Sequence, residues 1–291
     1  MLAGIEAGGT KFICAVAEHP AYIRDRIEIP TTTPAETFAK VRDFLSAQRS
    51  ISAIGIAAFG PVDLDKGSRT FGHVLNTPKP GWTGANYKAA FAGFNVPIRI
   101  ETDVSGACLG EYLHGAGQRL KTLAYVTVGT GIGAGIVQHG EIRNGAGHYE
   151  MGHIAVWQDI QSDPFRCHCP FHEDCLEGLA SGPAIKARWG KSLSELGPGH
   201  VGFALEADYL AQLALAITLM HRPDAIIFGG GVMQTPDLLN ALRRETANRL
   251  GGYLADKRLI GDLSAYIVPP ALGGNAGITG ALALARSVQT R

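Results

Sequence analysis

The chain has 291 residues, of which 46% are hydrophobic and 18% charged, so we expect a sizeable buried core and exclude disorder. The 26 Lys and Arg residues balance the 26 Asp and Glu residues, which argues against a nucleic-acid-binding surface. No apolar run reaches the roughly 18 residues of a membrane span. The five cysteines do not form the pattern of a disulfide scaffold, and the N-terminus does not resemble a signal peptide. We therefore predict a cytoplasmic protein without membrane contact.

Glycine is the outlier in the composition. The chain has 38 glycines, about 13% of its residues against roughly 7% on average, and no collagen-like period relates them. Clustered glycines indicate a backbone that turns sharply or approaches a ligand closely. The clusters are Gly8-Gly9, Gly129 to Gly135, Gly229 to Gly231 and Gly273-Gly274.

Apolar runs that alternate with turn residues predict the following elements, in chain order. Strands are expected at residues 3–6, 12–17, 24–29, 53–58 and 98–101, with helices at 34–45 and 103–114 and mostly loop over 60–97. In the second half, strands are expected at residues 123–128, 134–137, 225–228 and 266–268, and helices at 179–189, 206–221, 236–254 and 276–285.

Two segments of the chain look alike. GIEAGGTK at residues 4–11 and VTVGTGIG at residues 126–133 each join an apolar strand, a Gly/Thr turn and a second apolar strand. The repetition predicts two similar α/β domains, residues 1–116 and 117–291, that face each other across a cleft, with the last helix able to pack back on the first domain. The alternative is that such hairpins recur in any α/β protein.

Glycine turns suit phosphate because several backbone N–H groups can converge where no Cβ blocks the approach. Neither turn contains a Walker A pattern, and no helix directly follows residues 129–133, as a dinucleotide fingerprint requires. Two such turns, with Thr hydroxyls and Lys11 nearby, fit the phosphates of a nucleotide, and Gly229 to Gly231 would suit its adenosine side. A solvated lysine and a tight turn are the structural alternatives.

A Cys/His cluster predicts a metal site of the closed kind. Cys169, His172 and Cys175 form a C-x2-H-x2-C pattern, and His153 lies sixteen residues upstream. Two thiolates and two imidazoles suit tetrahedral zinc and leave no open position, so we expect a structural ion that pins a long loop. Two points stay open: Cys167 or His168 could supply the fourth ligand, and the cysteines could be free thiols.

Three acidic residues are candidates for chemistry. Asp103 follows a strand and begins a helix, where active sites of α/β proteins collect, although Asp is also a favoured helix N-cap. Glu150 lies three residues before His153, and Glu177 lies two residues after Cys175. Carboxylates held beside a metal would suit a substrate with many hydroxyl groups. The alternative is that both glutamates are simply exposed acids.

These residues resemble those of the ROK sugar kinases, and more narrowly the bacterial fructokinase subgroup. The resemblance runs from GIEAGGTK at residues 4–11 to LGGNAG at residues 272–277, and its most specific part is EMGH at residues 150–153 followed by CPFH and CLEG at residues 169–172 and 175–178. It implies an actin-like (ribonuclease H-like) two-domain ATPase fold with an interdomain cleft and a zinc-pinned loop, commonly dimeric.

The resemblance also implies roles for single residues. It implies ATP and Mg²⁺ as cofactors besides Zn²⁺, a hexose as substrate, and Asp103 as the general base. Glu150, His153 and Glu177 would contact the sugar, and His153, Cys169, His172 and Cys175 would bind zinc. The implied nucleotide contacts are Glu6, Gly8, Gly9, Thr10, Lys11, Gly129, Thr130, Gly131, Gly229, Gly230, Gly231 and Val232, with Glu6 in the place where many relatives have Asp.

Departures from the glucokinase branch favour fructose. Thr102 precedes Asp103 where that branch often has Asn, and the zinc loop has the C-x2-H-x2-C form instead of three cysteines. We therefore expect phosphorylation of the 6-hydroxyl of D-fructose, with a kinase for mannose or glucose, or a non-catalytic sugar-binding regulator, as alternatives. A repressor would carry a DNA-binding domain before the first hairpin, and a zinc hydrolase would need an open metal position.

Overall fold

Two five-stranded sheets form the framework of the protein in a computed structural model, which describes residues 1–289. In the first sheet the strands have the order β3-β2-β1-β4-β5. Strand β1 pairs antiparallel with β2 and parallel with β4. The strands are β1 (Leu2–Ala7), β2 (Lys11–His19), β3 (Tyr22–Pro30), β4 (Ala53–Ala58) and β5 (Ile98–Thr102).

The second sheet repeats the topology of the first. Its order is β10-β9-β6-β7-β8, and β6 pairs antiparallel with β7 and parallel with β9. Read from β8, this is the same sequence of neighbours as in the first sheet. The strands are β6 (Thr122–Val128), β7 (Ile132–Gln138), β8 (Glu141–Arg143), β9 (Ala225–Gly229) and β10 (Ile267–Val268). The predicted pair of similar α/β halves is confirmed.

The helices mostly follow the predicted pattern. They are α1 (Pro34–Ser46), α2 (Tyr87–Phe91), α3 (Asp103–His114), α4 (Leu176–Ala180), α5 (Gly182–Trp189), α6 (Leu193–Leu196), α7 (Val201–His221), α8 (Leu238–Leu250) and α9 (Ala276–Gln289). The helix predicted at 179–189 is wrong as a single element: Ser181 has extended backbone angles and caps α5 through its side chain. Helix α7 begins earlier than predicted, because His200 caps the amide of Gly202.

The described chain divides into two compact units. Unit 1 comprises Met1–Gln118, Gly140–His148 and the residues from Ala271 onward, and unit 2 comprises Arg119–His139 and Tyr149–Pro270. Helix α9 therefore belongs to unit 1, where it packs on β1 and β4. The boundary at residues 116 and 117 stays a prediction about domains.

An aromatic cluster fills one side of the first sheet. Trp82, which is fully buried, packs against Phe12, Phe38 and Phe59, and its Nε1 donates a hydrogen bond to the carbonyl of Thr32 at 2.8 Å. Much of the stretch over 60–97 is loop, as predicted. It nevertheless supplies core side chains, because a loop without periodicity can still bury a large aromatic residue.

Small residues bring α9 close to the rest of unit 1. A Cβ on Gly55 of β4 would collide with the carbonyl of Ala281, and one on Gly110 of α3 would collide with that of Ala276. Helix α9 thus lies on backbone rather than on side chains at these two points. Close packing of this kind tolerates no added methyl group unless the helix shifts.

Unit 2 has its own core, in which α7 packs on the second sheet. By length and composition alone α7 could cross a membrane, and 56% of its most apolar window is buried. Leu210, Leu213 and Ile217 of α7 are buried with Ile226 and Phe228 of β9 in one hydrophobic cluster. The apolar character of α7 is therefore explained by its place in the core.

We predict that Gly55→Ala lowers the free energy of unfolding by at least about 1–3 kcal/mol, as overpacking typically does. Gly93→Ala is the matched control, since a Cβ there meets nothing within 4 Å. Urea unfolding followed by circular dichroism would measure both. Equal stabilities of the two variants would contradict the close approach of α9 to β4.

Candidate active site and metal centre

The turn between β1 and β2 (residues 8–10) is closed by backbone contacts and open on its outer side. The amide of Gly8 donates to the carbonyl of Lys11 at 3.0 Å. Thr31 holds the turn from the end of the neighbouring strand, because its hydroxyl donates to the carbonyl of Gly8 at 2.7 Å. Gly9 and Thr10 are exposed, and a Cβ on Gly9 would meet nothing within 4 Å. A ligand could therefore approach this backbone closely.

Lys11 lies on the surface in an ion pair. Its Nζ is 2.7 Å from Glu28 Oε2, and about half of the lysine side chain is exposed. Arg26 contacts the other oxygen of Glu28 at 2.9 Å. The two cations lower the pKa of Glu28 from its ordinary value. A phosphate at this place would have to compete with Glu28 for the lysine.

The turn between β6 and β7 (residues 129–131) is braced from inside unit 2. The amide of Gly129 donates to the carbonyl of Gly131 at 2.9 Å, and the amide of Gly182 donates to the carbonyl of Gly129 at 2.8 Å. Gly230 has a φ of +94°, and a Cβ there would collide with the backbone of Val128. Two of the predicted glycine clusters thus lie together, and Thr130 in the turn is exposed.

The triple glycine ends β9 and leads into a 3-10 turn that begins at Val232. Gly229 lies against Tyr125 and Pro270, while Gly231 is open. The methyl group Cγ2 of Val232 is 3.7 Å from where a Cβ of Gly182 would lie. The positive φ of Gly230 is by itself a sufficient reason for a glycine at this position. The tight-turn interpretation therefore accounts for that residue without a ligand.

Asp103 is the first residue of α3, directly after β5. The helix cap is Thr102, whose Oγ1 accepts a hydrogen bond from the amide of Ser105 at 3.2 Å. Asp103 Oδ1 accepts from the amide of Val104 at 2.8 Å. Because Thr102 performs the capping, the cap function does not account for an aspartate at position 103. The carboxylate is oriented by the start of the helix.

Glu6 points from β1 into unit 1, near Asp103. Burial and then the negative charge of Asp103 raise the pKa of Glu6 to about 7, while Arg26, Lys11 and the amide of Ile278 oppose this shift. Among the described residues, Glu6 Oε2 has no hydrogen-bond partner. Two carboxyl groups that influence each other in this way can share a proton or face a cation.

Four metal-binding side chains of unit 2 converge. One nitrogen or sulfur atom from each lies within 4.8 Å of the others. Cys169 Sγ is 3.4 Å from His172 Nδ1 and 3.9 Å from His153 Nδ1, and Cys175 Sγ is 3.6 Å from the same His153 atom. A tetrahedral zinc site with the usual bond lengths has S–N edges of about 3.6 Å. The predicted ligands therefore fit zinc in both chemistry and spacing.

Backbone amides donate hydrogen bonds to two of these sulfurs. The amide of Gly178 donates to Cys175 Sγ at 3.4 Å, and that of Phe171 donates to Cys169 Sγ at 3.5 Å. Burial raises the pKa of Cys175 to about 12, so this thiol needs a positive charge beside it to ionise. Cys167 lies next to the set, with its sulfur 3.9 Å from that of Cys175.

Two of the three predicted sugar contacts meet at the metal centre. His153 presents Nδ1 to the thiols and Nε2 to Glu177, whose Oε1 is 3.7 Å away. Glu177 Oε2 accepts a hydrogen bond from the amide of Ile132 at 2.8 Å. Glu150 is exposed at the start of the 3-10 turn that carries His153, and its carbonyl accepts from the His153 amide at 3.0 Å.

The comparisons with known proteins cover nearly the whole chain. The sequence profile of the ROK family matches residues 2–288. The chain belongs to this family. A Bacillus subtilis (strain 168) protein, provisionally named a fructokinase, is 46% identical over 286 residues, which are 98% of this chain and 95% of the relative. A fructokinase of Streptococcus mutans is 40% identical, with 99% and 98% of the two chains covered.

A solved structure of the ROK family extends the likeness to three dimensions. The glucokinase from Streptomyces griseus, in complex with glucose and AMPPNP, is 26% identical and has a TM-score of 0.75. The match covers 98% of this chain and 99% of that one. This agrees with the predicted actin-like ATPase fold of the ROK sugar kinases.

Residues outside the predicted set also shape this ROK site. A Cβ on Gly178 would collide with Cys167 Sγ, so the loop folds tightly over α4. Arg188 is buried in an ion pair with Asp163, 3.3 Å away, and Tyr209 donates a hydrogen bond to the same carboxylate. These contacts secure the segment before the cysteines. No sequence motif marked them, because ion pairs between distant residues leave no local pattern.

Replacing Glu6 should change how stability depends on pH. Its folded-state pKa of about 7 lies above the ordinary value of 4.5, so the folded protein binds more protons and stability falls as pH rises between these values. Glu6→Gln should not show this decrease in the free energy of unfolding, which amounts to up to about 3 kcal/mol. Unfolding with urea at several pH values would test this, and parallel curves for both proteins would contradict it.

Removing one metal ligand should release the ion. We expect His172→Ala to bind zinc more than about tenfold more weakly than the unchanged chain. Mutation of a residue that only contacts a metal ligand already lowers metal affinity by about that factor. His168→Ala is the control, since this neighbouring histidine lies outside the set of four. Competition with a chromophoric chelator measures both affinities. A larger loss in His168→Ala would contradict the assignment.

Proposed function

We propose that this chain is an ATP-dependent fructokinase, which transfers the γ-phosphoryl group of ATP to the 6-hydroxyl of D-fructose. The observation that carries the proposal is the 40% identity with the Streptococcus mutans fructokinase over nearly the full length of both chains. The carboxylate of Asp103 at the end of β5 and the two open glycine turns are the features that this reaction needs.

In the proposed reaction, Asp103 is the general base. It accepts the proton of the sugar hydroxyl while that oxygen attacks the γ-phosphorus, and ADP leaves. The orientation of Asp103 supports this role. Thr102 caps α3, so Asp103 is not the capping residue, and the amide of Val104 orients its carboxylate through a hydrogen bond. A positioned general base typically contributes about 10²- to 10⁴-fold to the rate.

Phosphoryl transfer depends mainly on positioning and on charge stabilisation. Backbone amides in each turn would donate hydrogen bonds to phosphate oxygens. Lys11 would leave its ion pair with Glu28 and contact a phosphate oxygen. The free oxygen of Glu6 fits a role near Mg²⁺, which when bound neutralises charge on the phosphates. The proposed nucleotide contacts are Glu6, Gly8, Gly9, Thr10, Lys11, Gly129, Thr130, Gly131, Gly229, Gly230, Gly231 and Val232.

The proposed sugar contacts are Glu150, His153 and Glu177. Carboxylates accept hydrogen bonds from sugar hydroxyls, and a histidine with Nδ1 on a metal donates through Nε2. Zinc held by His153, Cys169, His172 and Cys175 would have a structural role, because four protein ligands leave no position for substrate. We further propose a cytoplasmic homodimer without nucleic-acid or membrane partners.

Asp103→Asn should lower kcat by at least about 10²-fold, because the amide cannot accept the hydroxyl proton. The KM for ATP should change little. Asp43→Asn is the matched control, since Asp43 is an exposed residue of α1 and its loss of charge should leave kcat unchanged. ADP release in a coupled assay with fructose, ATP and Mg²⁺ measures both variants. Near-normal turnover by a folded Asp103→Asn would exclude the general-base role.

The same assay decides the sugar. Fructose, mannose, glucose and N-acetylmannosamine are compared at one enzyme concentration, and fructose should have the highest kcat/KM. Turnover of another hexose alone would keep the kinase and contradict the fructokinase assignment. Without ADP release from any sugar, the folded, zinc-loaded protein would be a non-catalytic sugar-binding regulator.

A further inference from the structure

Glu177 connects two parts of unit 2 that the proposed reaction uses differently. One of its oxygens, Oε2, accepts a hydrogen bond from the amide of Ile132 at 2.8 Å, directly after the turn between β6 and β7. The other, Oε1, lies 3.7 Å from Nε2 of His153. The carboxylate therefore contacts the edge of the phosphate-binding turn and a ligand of the metal at the same time.

The turn is shaped to receive this carboxylate. A Cβ on Gly131 would lie 2.7 Å from Glu177 Oε2, well inside van der Waals contact, whereas a Cβ on Gly129 would meet nothing within 4 Å. A Cβ at position 131 would therefore have to displace the carboxylate of Glu177 from its hydrogen bond with the amide of Ile132.

The contact on the metal side has a defined polarity. His153 Nδ1 faces the sulfurs of Cys169 and Cys175, so a bound metal takes this nitrogen and the ring proton must be on Nε2. That N–H then faces Glu177 Oε1. A distance of 3.7 Å exceeds a hydrogen bond, so the attraction is electrostatic. Carboxylates that face the second nitrogen of a metal-bound histidine orient the ring.

We propose that Glu177 is a positioning residue that couples the metal centre to the turn between β6 and β7, so that metal occupancy strengthens nucleotide binding. This inference rests on the proposed function only where it concerns the nucleotide. When the metal fixes the His153 ring, Glu177 is held in place, and its second oxygen fixes the amide of Ile132. Without the metal the carboxylate loses one of its two anchors, and the turn becomes less ordered.

The first experiment tests the coupling from the side of the turn. Zinc affinity is measured by competition with a chromophoric chelator in Gly131→Ala and Gly129→Ala. We expect Gly131→Ala to bind zinc about 10- to 100-fold more weakly, the usual effect of disturbing a partner of a metal ligand, and Gly129→Ala to bind it as the unchanged chain does. Equal zinc affinities in the two variants would overturn the proposal.

The second experiment tests the coupling from the side of the metal. The Kd of AMPPNP is measured by calorimetry before and after zinc is removed, in the unchanged chain and in Glu177→Gln. An amide has one acceptor oxygen and no negative charge, so a Glu177→Gln side chain that accepts from the Ile132 amide no longer attracts the Nε2 proton of His153. We expect zinc removal to weaken AMPPNP binding at least about fivefold in the unchanged chain, within the usual range of coupling between sites, and less than about twofold in Glu177→Gln.

The AMPPNP and zinc measurements together distinguish coupling through Glu177 from a merely structural role of this residue. If zinc removal weakens AMPPNP binding equally in both proteins, the effect does not pass through Glu177 and the proposal is wrong. If neither protein binds AMPPNP, the proposed kinase function fails, and with it the nucleotide half of the inference. The zinc affinities of the two glycine variants, measured on metal-loaded protein, then still decide whether Glu177 joins the metal centre to the turn.

Discussion

Close approach of backbone to backbone is the constraint on which both units depend. In unit 1, helix α9 lies on β4 where Gly55 has no Cβ, and in unit 2 Gly152 lies against the carbonyl of Ile132 where a Cβ would collide. These contacts bring main-chain groups, rather than side chains, together. They give a physical reason for the glycines at positions 55 and 152 that involves no ligand.

Glycines without a Cβ also shape the candidate site. Gly131 makes room for Glu177, and Gly230 makes room for the end of β6. The turn between β6 and β7 is held by these neighbours before any ligand binds. A preorganised set of amides loses little conformational entropy when phosphate arrives. The carboxyl groups of Glu6 and Glu177 each face a backbone amide, that of Ile278 in unit 1 and that of Ile132 in unit 2.

Much of the fold could be predicted from local pattern. The alternation of strands and helices, the two hairpins and the cluster of metal ligands all have short-range signals in the chain. Trp82 has no such signal, because its burial depends on aromatic residues that are distant in the chain, on β2 and α1 and just after β4. The break at Ser181 also escaped prediction, since the apolar pattern continues through it while the backbone becomes extended. Likewise, spacing alone could not show that Thr102, rather than Asp103, caps α3.

The identity of the product tests the proposed fructokinase activity without an indirect step. Phosphorus and carbon NMR of a reaction with D-fructose, ATP and Mg²⁺ would locate the new phosphate ester and measure ADP in the same tube. A fructokinase of the proposed kind forms one ester, on the 6-hydroxyl, in equal amount with ADP. Inorganic phosphate and ADP without a sugar ester, or an ester on another hydroxyl, would contradict it.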